Sequence, residues 1–133
     1  MSLSIHDNLL VSYEVQCEAR KITLQTEHRA QDKPTEFTNV TFTGVEGYHF
    51  KDDAFGNIVF GLETVPVEQF LAEHHLEITE SFRIAGSPGP WAAHLDKAPE
   101  LLGQKSVQAF VLSSSIGLSG WVLARRALVG PAQ

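Results

Sequence analysis

The nearest approach to a catalytic motif in this 133-residue chain is Gly117-Leu118-Ser119-Gly120-Trp121. A hydrolase nucleophile elbow sets glycines two places before and two places after its serine, because side chains there collide as a strand turns sharply into a helix. Gly117 meets the first condition, but Trp121 fills the second place, and Val122-Leu123-Ala124 beyond it reads as strand. The segment is expected to be a corner between two strands, with the hydroxyls of Ser113, Ser114 and Ser115 turned to backbone groups or to solvent.

His6-Asp7 offers the adjacent imidazole and carboxylate with which helical metal-dependent phosphohydrolases share a divalent ion. Those enzymes also need an upstream histidine and a helical setting, and neither is available here. At the lip of a first strand, Asp7 is expected to accept backbone N–H groups in a turn. His74 and His75 diverge by about 100° on a regular helix, so they cannot both grip one ion. A site completed by Glu77 or His94 also lacks the i, i+4 histidine spacing of zinc proteases. Cys17 shares the parity of Tyr13 and Val15, which predicts an inward packing role instead of a nucleophile. Gly44, Gly47 and Gly56 match neither a phosphate loop nor a dinucleotide fingerprint. Trp91 stands at the exit of the stiff loop Gly86-Ser87-Pro88-Gly89-Pro90. There it can either anchor a partner at low entropic cost or lie down to cap the sheet. The candidate binding residues are therefore Trp91, His6, Asp7, Ser114 and Ser115. No residue is assigned to catalysis, and neither a metal nor another cofactor is expected.

The elements that must position these groups follow from periodicity. Leu9, Val11, Tyr13, Val15 and Cys17 alternate with polar residues, as in a half-buried strand, and Ile22, Leu24 and Thr26 repeat the pattern to complete a hairpin. A third strand from about Phe37 places Val40 and Phe42 on one face, breaks at Gly44 and Gly47 as a bulge or bend does, and resumes with Tyr48 and Phe50. Asp52, Asp53, Gly56 and Asn57 turn the chain into a fourth strand bearing Ile58, Phe60 and Leu62. Pro66 suits the first turn of a helix, and Val67, Phe70, Leu71, His74, Ile78 and Phe82 form its apolar stripe. The parity of Ile78, Glu80, Phe82 and Ile84 also permits a strand there. Pro99 opens a short helical turn, and Val107 to Leu112 and Trp121 to Val129 supply the last strands. The sum is an α+β fold: a curled antiparallel sheet of about six strands, with barrel-like closure left open, and one main amphipathic helix.

Sixteen acidic against ten basic residues give a formal charge of −6, a field that repels nucleic acid and suits a basic protein partner. The single cysteine excludes an intramolecular disulfide and fits a reducing interior. No uninterrupted apolar run approaches the roughly 18 residues of a membrane span, so a cytoplasmic, membrane-free setting is expected. Residues 4–133 are expected to form a single β-rich domain, with Met1-Ser2-Leu3 either native or an expression remnant.

His6-Asp7-Asn8-Leu9-Leu10, the alternating strand and hairpin after it, and Val40-Thr41-Phe42-Thr43-Gly44-Val45 together resemble a pattern shared by small bacterial β-rich proteins of unassigned function. Some of these are immunity proteins of polymorphic toxin systems, which bind and silence a cognate toxin. The resemblance spans roughly residues 5 to 62. It implies a β-rich module with an acidic surface and carries over no catalytic position. The expected function is a non-catalytic binding protein, with an immunity-type role toward a basic protein as its sharpest form. The rival is a small hydrolase or ligand-binding enzyme using His6, Asp7, His94 and the Ser113 to Ser115 hydroxyls. Self-association as a homodimer through strand edges or exposed aromatics is a third reading.

Overall fold

The computed structural model describes residues 2–3 and 5–132, so Met1, Ser4 and Gln133 lie outside the described residues. The described residues form seven strands: β1 (Ser2–Leu3), β2 (Leu9–Gln16), β3 (Lys21–His28), β4 (Glu36–Lys51), β5 (Asn57–Val65), β6 (Gln108–Ile116) and β7 (Ser119–Pro131). Between β5 and β6 run helix α1 (Val67–Ala85), a 3-10 turn (Pro90–Ala93) and helix α2 (Ala98–Gln104). Every strand pair is antiparallel, and the pairing of β5 with β6 closes β5-β2-β3-β4-β7-β6 into a barrel. The α+β class, the curled antiparallel sheet and the main helix are thus as the periodicity predicts. The second half of α1 is helix, and Gly86 ends it in the left-handed region at φ 71°, its N–H donating to the Phe82 carbonyl.

Two cores hold this arrangement. Ile22, Leu24, Val40, Phe42, Val59, Leu62 and Val122 fill the barrel interior with Phe110 and Leu112. Burying a side chain of this size fully is worth about 1.5–3 kcal/mol. Outside the barrel, Phe70, Leu71 and Ile78 of α1 pack with Trp91, Ala98 and Leu102 against Ala109 of β6 and Trp121 and Leu123 of β7. Trp121, Val122, Leu123 and Ala124 are consequently all buried, alternate residues pointing into different cores. The neighbouring Arg125 and Arg126 are exposed.

A bulge in β2 shifts the parity read from sequence, and a second, in β4, falls where Gly44 and Gly47 predict it. In β2 the register slips between Leu10 and Ser12, so Leu10 lies opposite Thr26 and Tyr13 opposite Leu24. Leu10 is therefore buried, whereas Val11 stands 48% exposed. Cys17 falls in the turn after β2 and is exposed, which corrects the inward role expected for it: the strand ends at Gln16, before the alternation can carry the thiol inside. In β4 the slip lies between Val45 and Gly47, and the strand continues through it. A Cβ on Gly47 would lie 2.7 Å from the Pro88 side chain, so the glycine lets the proline-rich loop settle against the sheet.

Barrel closure is narrow at one seam. β2 meets β5 only where Leu9 faces Ile58 and Leu10 faces Asn57, while β1 pairs with β5 further along, at Leu62 and Glu63. From Ser12 to Gln16 the edge of β2 that faces away from β3 has no strand beside it among the described residues.

No described helix is long and apolar enough to cross a membrane.

Candidate functional site

The corner between β6 and β7 is built for close approach. Gly117 lies at φ 91°, and a Cβ there would stand 2.0 Å from Asn57 Oδ1. Gly120 comes equally near the His49 carbonyl, where a Cβ would lie at 1.9 Å. The hydroxyl of Ser114 donates to the Leu118 carbonyl, that of Ser115 to Ile58 O at 3.3 Å, and that of Ser113 to Gly61 O at 3.4 Å. These serines finish backbone hydrogen bonding at the end of the barrel.

His6 and Asp7 sit in a turn fastened to β5. Asp7 adopts φ 65°, its N–H donates to Val59 O at 2.9 Å, and Val59 N–H donates to Asn8 O at 2.9 Å. The His6 ring meets the Phe60 ring edge-on at 5.5 Å, its Nδ1 bonds to the Phe60 carbonyl, and its Nε2 lies 3.5 Å from Asp7 Oδ2. Ser114 faces Val59 across the β5 and β6 pair, so His6, Asp7, Ser114 and Ser115 all border β5. Trp91 does not join them. It is 8% exposed within the helical core and donates Nε1–H to Glu46 O at 2.9 Å. Its indole is a buried wall of that layer and not a displayed anchor, because the loop that carries it folds down onto Gly47. His94 follows the 3-10 turn in the same layer and is exposed.

The outer wall at the seam is apolar. Leu9, Ile58 and Ile116 stand abreast on β2, β5 and β6, and Phe60 and Ile116 remain 60% and 55% exposed. Just past the last paired residues, Val11, Tyr13, Asp53 and Phe55 line an open concavity of about 590 Å³. Phe55 is fully exposed at its lip. Tyr13 donates its hydroxyl to Asp53 Oδ2 at 2.5 Å. That hydrogen bond, with partial burial and the Asp53 charge, holds the phenol above its ordinary pKa. Tyr13 packs edge-on against Phe50 at 5.5 Å, and Phe50 lies 5.4 Å from Tyr48.

A second polar group lies between α1 and the sheet. Glu77 Oε1 accepts the Trp121 indole N–H at 3.0 Å, His74 Nδ1 lies 3.5 Å from Glu77 Oε2, and His49 Nε2 lies 4.0 Å from Oε1. Burial pushes the Glu77 carboxyl up, but the hydrogen bonds from Trp121 and His74 and the nearby His49 and His74 charges outweigh it, leaving its pKa below the ordinary value. His74 stacks on Phe70 at 4.6 Å. The cleft beside this group holds about 30 Å³, room for a water and little more. It ties α1 to β7. Sequence spacing pairs His74 with Glu77 and alternation with Tyr48 and Phe50 turns His49 outward, but that His49 joins them follows only from α1 lying across β4 and β7. His75 is exposed and turns its ring toward the Ala72 carbonyl. Among the described residues, no three His, Cys, Asp or Glu side chains are arranged to hold a metal ion.

Comparison with protein-family models, with curated proteins and with solved structures finds no match to this chain.

Proposed function

We propose that this protein is a non-catalytic binding protein that docks a basic protein partner on the seam of its barrel, as an immunity protein docks its toxin. The observation that carries this reading is the combination at the seam of exposed Val11, Phe55, Phe60 and Ile116 with the carboxylates of Asp7, Asp52 and Asp53. Large apolar side chains left in water beside charged groups mark interaction surfaces, and the carboxylates favour a partner of opposite sign. The formal charge of −6 attracts such a partner from a distance and repels nucleic acid. The single cysteine, which can form no intramolecular disulfide, is compatible with a reducing cytoplasmic setting.

Pull-downs from the source organism, with the native chain and a Phe55→Ala/Phe60→Ala variant as baits, test it. The native bait is expected to retain one basic protein, released by salt, that the variant fails to hold. A native bait that repeatedly returns nothing but itself contradicts the proposal.

A further inference from the structure

Among the described residues two stretches of strand edge lie open: β7 beyond Ala124, which carries Arg125, Arg126 and Pro131, and β2 from Ser12 to Gln16, whose surroundings indicate what could cover it. In an edge strand alternate N–H and C=O groups point outward, and sheets commonly blunt such edges with lysine, proline or a covering segment. Between Ser12 and Gln16, β2 contains neither lysine nor proline. The bulge at Val11 marks where pairing with β5 stops. Five residues of strand extend about 17 Å, enough to pair with a short segment of another chain. The concavity beside Val11, Tyr13, Asp53 and Phe55 gives that segment room and an aromatic wall.

Charge selects the occupant. Glu14 lies at the middle of the open stretch, and Asp52 and Asp53 lie on the loop across the concavity. A second copy of this chain, pairing antiparallel through the same stretch, would set Glu14 against Glu14, a destabilising juxtaposition. Lysine or arginine on an incoming strand would instead meet Glu14 from one face of the strand, or from the other face meet Asp53 and lie against Tyr13 and Phe55, where cations are attracted.

We infer that Ser12 to Gln16 of β2 accepts an extended basic segment of the partner protein as an added strand, which rests on the reading of this protein as a binder of a basic protein.

Three ten-residue peptides added to isotope-labelled protein and followed by NMR test the inference: one alternating valine and arginine, one alternating valine and glutamate, and the arginine peptide N-methylated at alternate residues. The arginine peptide is expected to shift the Ser12 to Gln16 amide signals and slow their hydrogen exchange, while the glutamate peptide leaves them unchanged. N-methylation should weaken binding about tenfold or more, as expected for losing one or two net hydrogen bonds at constant charge. Equal binding by the N-methylated peptide, shifts confined to other surfaces, or no shifts at all would overturn strand addition. A concentration-dependent dimer that protects the same amides would overturn the choice of occupant. A basic protein retained in the pull-down while the Ser12 to Gln16 amides stay unperturbed would sink strand addition alone and leave the binding role standing.

Discussion

Asn57 holds the backbone of Leu118 from across the barrel end: its Oδ1 accepts the Leu118 N–H at 2.9 Å. The same oxygen accepts the Ala54 N–H at 3.0 Å, and its Nδ2 donates to Ala54 O at 2.7 Å. One buried amide thus fixes both the turn entering β5 and the corner between β6 and β7. Asn57→Ala leaves two backbone donors without their acceptor and is expected to destabilise the protein by about 1–3 kcal/mol. Gly117→Ala, which drives a Cβ into Asn57 at a positive φ, is expected to act in the same direction. Because the two changes disrupt one contact, the double variant should lose less than the sum of the single losses. Urea denaturation of the four proteins measures this.

Glu77 carries a pH signature. Its folded pKa lies below the ordinary value, so its contribution to stability is complete above the unfolded glutamate pKa of about 4.3 and is lost as pH falls through the lower folded value. His49 and His74 are the titratable groups facing it, and the partly exposed setting keeps the effect modest. Glu77→Gln keeps an oxygen for the Trp121 indole but removes the ionisation. The fall in urea midpoint between about pH 6 and about pH 3.5 is expected to be smaller in Glu77→Gln than in the native chain.

Cys17 lies in an exposed turn, so a thiol reagent such as Ellman's reagent should label it fully in the native protein without denaturant. Protection lifted only on unfolding would contradict the bulged register of β2 and the turn that follows it.

Phe55 lies wholly in solvent, so Phe55→Ala is expected to leave stability within about 0.5 kcal/mol of native while weakening partner binding by more than about 1 kcal/mol. Thermal melts and titration of the captured partner separate the two effects. A variant that melts early but binds normally would move Phe55 from the docking surface into the structural framework.

Much of the fold was legible because each strand and α1 carry their own periodicity. Ile22, Leu24, Val40 and Phe42 read inward from the alternation alone, and the stripe from Val67 to Phe82 marked the helix. What escaped depends on partners distant in sequence. The bulge after Leu10 turned Val11 outward and cannot be placed without the register of the neighbouring strand, whereas the β4 break falls where Gly44 and Gly47 announce it; that the outward His49 meets Glu77 depends on where α1 lies on the sheet. Closure rests on Leu9 and Leu10 meeting Ile58 and Asn57, nearly fifty residues away in the chain. Trp91 stood beside an exposed-looking loop, yet its burial required knowing that α1 and β4 would enclose it. His6, Asp7, Ser114 and Ser115 stand out in the sequence by their chemistry alone. They border one strand, where the apolar Phe60 and Ile116 prove to be the more prominent surface.

The most direct measurement is hydrogen–deuterium exchange of the protein alone and bound to its captured partner. Slowed exchange concentrated at Val11 to Gln16 and in the loop from Asp53 into β5, with α1 and β7 unchanged, is the predicted result. Protection lying on α1 or along β7 instead, with the seam exchanging as fast as in the free protein, would contradict the account.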